Sequence, residues 1–357
     1  MMKSLMALVM LLGATMLVLP QQSVPEIPFD SVDNFFKLPD DLHFGEGAGI
    51  AVNSKAHVFV FTRANVTGPA YGATAAMLLE FDQTGKYLRE IGHNLYAWAY
   101  AHAVRVDRDD NIWAIDKGSD MVVKFNPQGR VAMVFGRKKE ASDEAGPWTR
   151  VTPPRAPVDG EFRQPTDVTW DTQGNIFVSD GYINSRVAKF DKNGDWVKSF
   201  GEPGTKDGQF DTPHSITADA AGNIYVADRG NFRIQVFNPD GKFLRSMKLN
   251  VPVPSDARPW KGPMPTDETV GSQHAGAPWA VCITPGPTQY LYAADAFPGR
   301  IYKLTLDGKI LGVLGKAGKQ PKQFGWIHEI ACPSENELYV AEVVNWRVQK
   351  LLLHPKK

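Results

Sequence analysis

Between residues 210 and 247 the chain reads FDTPHSITADAAGNIYVADRGNFRIQVFNPDGKFLRSM, four short apolar or alternating runs separated by clusters of Gly, Asn, Asp and Pro. Alternation suits a half-buried strand, and the punctuating residues tolerate the backbone angles of tight turns. The stretch predicts four β-strands, in HSITA, NIYVAD, RIQVF and KFLRSM. The same order returns over 102–136, 165–201 and 280–315, and again over 328–353, where the fourth strand is missing. A looser copy begins with GIAVNSKAHVFVFTR at Gly49 and closes with MLLEFDQTGKYLREIG at 77–92, which makes six.

A four-stranded unit of about forty residues cannot bury both faces of its own sheet, so such units stack, and radial stacking gives a β-propeller. The expected fold is all-β, a six-bladed propeller over residues 34–357. The sixth copy needs a fourth strand from elsewhere. The segment NFFKLPDDLHF (34–44) is expected to supply it from the N-terminal side, closing the ring and leaving no open sheet edge.

Composition narrows the picture. The 357 residues are 43% hydrophobic and 11% aromatic, with 32 Gly and 26 Pro, as a repetitive single-domain β protein requires. With 39 basic and 39 acidic residues the formal charge is zero, which gives no electrostatic ground for binding nucleic acid or an anionic membrane. Residues 1–20, MMKSLMALVMLLGATMLVLP, read as a secretory signal peptide, with an uncleaved anchor as the alternative, and 21–33 read as a tether. A secreted or periplasmic, monomeric protein is expected. The two cysteines, Cys282 and Cys332, fall in first strands of adjacent blades at non-equivalent positions, and their pairing stays open. Two insertions, 137–161 and 248–277, each follow a completed fourth strand and so belong to the face that carries the connections between blades.

An acid ends the second strand in five copies: Asp116, Asp180, Asp228, Asp295 and Glu342. Such recurrence argues for a turn or cap role and against five catalytic acids. Fourteen residues before it stand His102, His214 and His328 in the even copies, and Gly49, Thr166 and Val281 in the odd ones. Alternate blades of a six-bladed ring lie about 120° apart and first strands line the channel, so three equivalent histidines converge on the axis. Three imidazoles with a fourth position open are the donor set of a catalytic zinc site. Arg63 takes, in the first copy, the place of the acid. It could clamp a substrate carboxylate or pair with a neighbouring acid. Tyr182, two residues beyond Asp180, could act as a general base beside a cation.

The third-strand pattern N-x-R-[VI], in NSRV, NFRI and NWRV, resembles the NHL repeat. Together with His102, Arg63, SDGYINSR, PHSI and IHEI it resembles the peptidyl-α-hydroxyglycine α-amidating lyase family over residues 44–353. The resemblance implies zinc on His102, His214 and His328, with Tyr182 and Arg63 as the catalytic pair. It also implies a structural calcium held by the backbone carbonyls of Ile50 and Val104 and by Glu329. Two positions depart from the family pattern: Trp326 stands for a methionine and Glu329 for an aspartate. The copper monooxygenase partner domain of animal enzymes is not in this sequence.

The implied activity is cleavage of the N–Cα bond of a peptidyl- or acyl-α-hydroxyglycine to an amide and glyoxylate, with a small-molecule or peptide substrate. Two alternatives differ in what they require. A metal-dependent, lactonase-like hydrolase calls for more carboxylate ligands. A non-catalytic scaffold binding a protein or glycan leaves the histidine register without a purpose.

Overall fold

A computed structural model describes residues 24–64, 76–139, 150–260, 262, 264 and 273–354. Six four-stranded antiparallel sheets are arranged as the blades of a β-propeller. The inner strands, in blade order, are Gly47–Val52, Ala101–Val106, Asp167–Trp170, Pro213–Ala218, Ala280–Ile283 and Ile327–Ser334. Each small sheet buries its faces against its neighbours. Phe59, Phe61 and Leu78 of blade one, for example, share a cluster with Val104, Ile112 and Val123 of blade two, which is why apolar residues predominate in the second and third strands.

Turn chemistry repeats with the strands. Asp107, Asp171 and Asp219 each accept the backbone N–H groups two and four residues on, closing the turn between first and second strands. The acid at the end of each second strand has the structural role expected of it. Asp228 accepts the Asp211 N–H, Asn231 Nδ2, Arg233 Nε and Gln235 Nε2. Glu342 does the same with the Gly325 N–H, Asn345, Arg347 and Gln349. The Asn and Arg of N-x-R are thus the groups that satisfy a buried carboxylate, here and at Asp180 through Asn184 and Arg186.

Ring closure differs from expectation in which residues perform it. The outer strand of blade six is Phe29–Ser31, inside the stretch read as a tether, and it pairs antiparallel with Arg347–Leu353 through Phe29↔Leu353 and Ser31↔Leu351. Residues 34–44 form no strand. Phe35, Phe36, Leu38, Leu42 and Phe44 instead pack as a wedge on blades one and six, with Phe36 5.0 Å from Phe81 and Phe35 5.9 Å from Tyr339 between ring centres. Pro39 and the paired Asp40 and Asp41 interrupt any strand there. Just upstream, Ile27 N–H donates to the Val313 carbonyl and Val313 N–H to that of Pro25. The N-terminal segment therefore touches blades five, six and one in turn.

Cys282 and Cys332 form a disulfide between the inner strands of blades five and six, with Cα atoms 6.1 Å apart. Among the described residues no helix is long and apolar enough to cross a membrane. The expected signal segment, 1–20, lies outside them.

Candidate metal centre

The three histidines occupy one structural position. In blades two, four and six the pairing of first and second strands slips by a residue at Ala101/Ala103, Pro213/Ser215 and Ile327/Glu329, so His102, His214 and His328 are each the extra residue of a β-bulge. A bulge re-aims a side chain, and here it turns three imidazoles to the axis. Their ring centres lie 4.5–4.9 Å apart, and one nitrogen of each falls within 4.8 Å of the others. At 1%, 1% and 4% exposure they are buried.

Their tautomer follows from what they touch. The Nδ1 of His102 lies 2.6 Å from the Thr166 carbonyl, that of His214 2.6 Å from the Trp279 carbonyl and that of His328 2.8 Å from the Ala48 carbonyl. A carbonyl only accepts, so each Nδ1 carries the proton and each Nε2 presents a lone pair to the axis. Burial, and for His102 the neighbouring rings of His328 and His214, hold all three well below the ordinary histidine range and therefore neutral. Three neutral, convergent, carbonyl-anchored imidazoles fit a zinc ion.

The carbonyl partners are the histidines' own counterparts in the next blade: Ala48, Thr166 and Trp279. Gly49 and Val281, matched by the fourteen-residue count, are displaced from that position. In blade five the turn TPGPTQY is longer, so the count falls short. In blade one Thr62 faces Gly47 as Asp116 faces Ala101, so the acid's counterpart is Thr62 and Arg63 is the residue after it.

The position after the acid is cationic in three blades. The residues following the acid position are Arg63, Lys117, Gly181, Arg229, Ala296 and Val343, and the three cations gather round the histidines. The Nη2 of Arg63 lies 3.3 Å from His328 Nε2, its Nη1 2.8 Å from Glu46 Oε2, and its guanidinium over Tyr100 at 3.9 Å. Arg63 thus pairs with a neighbouring acid, as one of its two readings expected, and also faces the three histidines. Lys117 Nζ lies 3.6 Å over the Tyr182 ring, and the Arg229 guanidinium stands between Trp279 at 4.5 Å and Tyr182 at 5.4 Å.

Tyr182 brings its hydroxyl 3.3 Å from His102 Nε2 and 3.1 Å from His214 Nε2. Burial pushes the phenol's pKa up, but Lys117, Arg229 and Arg63 outweigh it and hold the group below the usual tyrosine range. Its loop is fixed at two points. A Cβ on Gly181 would fall 1.9 Å from the Pro213 carbonyl, so only glycine fits in SDGY, and Arg150, at the edge of the first insertion, donates from Nε to the Tyr182 carbonyl at 2.8 Å. The second insertion also reaches this face, where Trp260 Nε1 donates to Asn345 at 2.8 Å.

The calcium position differs from what the resemblance implied. Ile50 and Val104 turn their N–H groups to Glu329 Oε2, at 2.6 and 3.0 Å, and the Arg105 guanidinium lies against the same carboxylate, with Nε 3.0 Å from Oε1. Calcium takes a cage of oxygens; here Oε2 is met by two N–H groups, Oε1 accepts no hydrogen bond, and the nearest positive charge is the Arg105 guanidinium. A cation of the protein's own therefore stands at the position the resemblance gives to the ion.

Comparison with known proteins agrees with this picture at the level of fold and repeat. Residues 210–237 match the NHL repeat. The chain is 28% identical over 164 residues to a probable peptidyl-α-hydroxyglycine α-amidating lyase of Caenorhabditis elegans, covering 41% of each. It is 24% identical over 282 residues to peptidyl-α-hydroxyglycine α-amidating lyase 1 of Drosophila melanogaster, covering 75% of this chain and 47% of that protein. A peptidyl-glycine α-amidating monooxygenase of Xenopus laevis matches at 28% over 172 residues, 43% of this chain and 18% of the relative. The chain thus spans less than half the length of these curated relatives. Among solved structures, a streptogramin B lyase superposes over 92% of this chain and 98% of its own with a TM-score of 0.55 at 16% identity, a likeness of fold. The chain is a six-bladed β-propeller with one segment that matches the NHL repeat and with distant relatives named as amidating lyases.

Proposed function

We propose that this protein is a zinc-dependent lyase that splits the N–Cα bond of a peptidyl- or acyl-α-hydroxyglycine, releasing an amide and glyoxylate. The observation that carries the reading is the convergence of three Nε2 lone pairs, each fixed by a carbonyl on the opposite nitrogen, beside a phenol and a collar of cations. The names of the distant relatives point the same way. A disulfide between Cys282 and Cys332 suits a protein that folds in an oxidising compartment.

His102, His214 and His328 would hold the metal, which when bound acts as a Lewis acid on the substrate's oxygen. Tyr182, held below its ordinary pKa, takes the hydroxyl proton. The O–H electron pair becomes the carbonyl of glyoxylate, the C–N pair goes to nitrogen, and the nitrogen regains a proton to give the amide. Arg63 and Arg229 are placed to hold the carboxylate and offset the charge that develops during cleavage. The lactonase-like alternative calls for more carboxylate ligands, and the one His/Cys/Asp/Glu group of metal-binding spacing among the described residues is all histidine.

The test is elemental analysis beside a glyoxylate-release assay on a small acyl-α-hydroxyglycine. The parent should carry one zinc and release glyoxylate. His102→Ala, His214→Ala and His328→Ala should each lose the zinc and the activity while keeping the β circular dichroism spectrum. Parental zinc content in all three variants would put the metal elsewhere.

A further inference from the structure

Three residues beyond His102 on the same inner strand, Arg105 reaches across the axis. Its Nε and Nη2 lie 2.9 and 2.5 Å from the two oxygens of Asp167 in blade three, and Nη2 also donates to Ser215 Oγ of blade four and the Val281 carbonyl of blade five, both at 3.2 Å. Nη1 donates to the Ile330 carbonyl at 3.2 Å, and Nε lies 3.0 Å from Glu329, both in blade six. Glu329 in turn accepts the N–H groups of Ile50 in blade one and Val104 in blade two. One guanidinium, 13% exposed in its side chain, and two carboxylates at 2% each therefore bind all six blades.

We propose that Arg105 is a built-in cation that takes the place of a divalent ion on the propeller axis, so that the ring closes round a guanidinium and needs no calcium. Two carboxylates buried on one axis repel each other, and a guanidinium set between them attracts both and offsets one of the two charges. A guanidinium is permanently charged and offers five donors in a plane; its hydrogen bonds go to both oxygens of Asp167 and to Ser215, Val281 and Ile330, while Glu329 is held by charge, its Oε1 3.0 Å from Nε without a hydrogen bond. Space is already filled: a Cβ on Gly49 would lie 2.6 Å from the Val104 nitrogen and 2.9 Å from Glu329 Oε2. Arg105 also lines a cavity of about 290 Å³ with Val106, Trp170 and Cys332. The residue stands between that cavity and the histidines, and access to the metal centre is left to the opposite face.

With zinc held constant, calcium should not change the melting temperature of the parent, and elemental analysis after gel filtration in calcium buffer should find none retained. Arg105→Ser leaves Asp167 and Glu329 without a cation. Its melting temperature should fall by on the order of 10 °C, and calcium should restore most of the loss. Stoichiometric calcium in the parent, or a parent stabilised by calcium, would overturn the proposal. So would an Arg105→Ser protein as stable as the parent in calcium-free buffer. If Arg105→Ser does not fold, the two measurements on the parent still decide.

Discussion

In the proposed lyase Tyr182 and Arg63 would divide the chemistry between a proton and a charge, and each role has its own signature. Arg63→Ala should lower turnover roughly a hundred- to a thousandfold, the usual cost of about 2.7–4 kcal/mol for removing one well-placed electrostatic donor, with zinc content unchanged. Steady-state kinetics on zinc-loaded protein checks it, and a parental rate would reduce Arg63 to a partner of Glu46. Tyr182→Phe should retain zinc, lose most of its turnover, and lose the ionisation of a perturbed phenol from the pH–rate profile. A near-parental rate would exclude Tyr182 as the base. The histidines were legible in the sequence because they share one offset from a repeated acid. Lys117 and Arg229 were not, since Arg63 had been matched to the acid itself; moved one residue on, it falls in register with both. Trp279 was hidden by the longer turn of blade five, which breaks the count without breaking the position. Arg105 gave no signal at all, because its partners come from blades far apart in sequence.

At the level of the strand and its turn, the repeat is a device for keeping a buried acid satisfied. Asp228 has four donors and no competing acceptor, and burial still pushes its pKa up. Asp228→Asn would replace a carboxylate oxygen by an amide that is itself a donor, and would leave Arg233 with only the exposed Asp207, 3.4 Å away, as counter-charge. A loss of about 3–5 kcal/mol is expected, the range for removing one partner of a buried ion pair, read as a shift of the denaturation midpoint with an unchanged slope. A change below about 0.5 kcal/mol, the scale of an ordinary surface substitution, would mean that the motif serves something other than stability. Strands of five residues with alternating patterns were legible. The closing strand Phe29–Ser31 was not, because three residues show no period and the aromatic run just after it imitates a strand while packing as a wedge.

For the whole molecule, the consequence of that closing strand is that the first and last parts of the ring hold each other. Deleting residues 1–33 should strip the outer strand from Arg347–Leu353 and expose its edge, with a lower melting temperature and self-association on gel filtration. Deleting residues 1–20 alone should change neither. Equal behaviour of the two truncations would show that the three-residue strand contributes nothing to closure. The hydrogen bonds behind the histidines have a different reach. They run from blade six to one, from two to three and from four to five, so a sixfold ring is sorted into three couples, each presenting one nitrogen to the centre. A wheel of seven blades built from the same repeat could close as well, but its spokes could not be shared out in equal pairs. The ion would thereby act as an arithmetic constraint on the gene, tolerating drift within a blade while refusing the gain or loss of one.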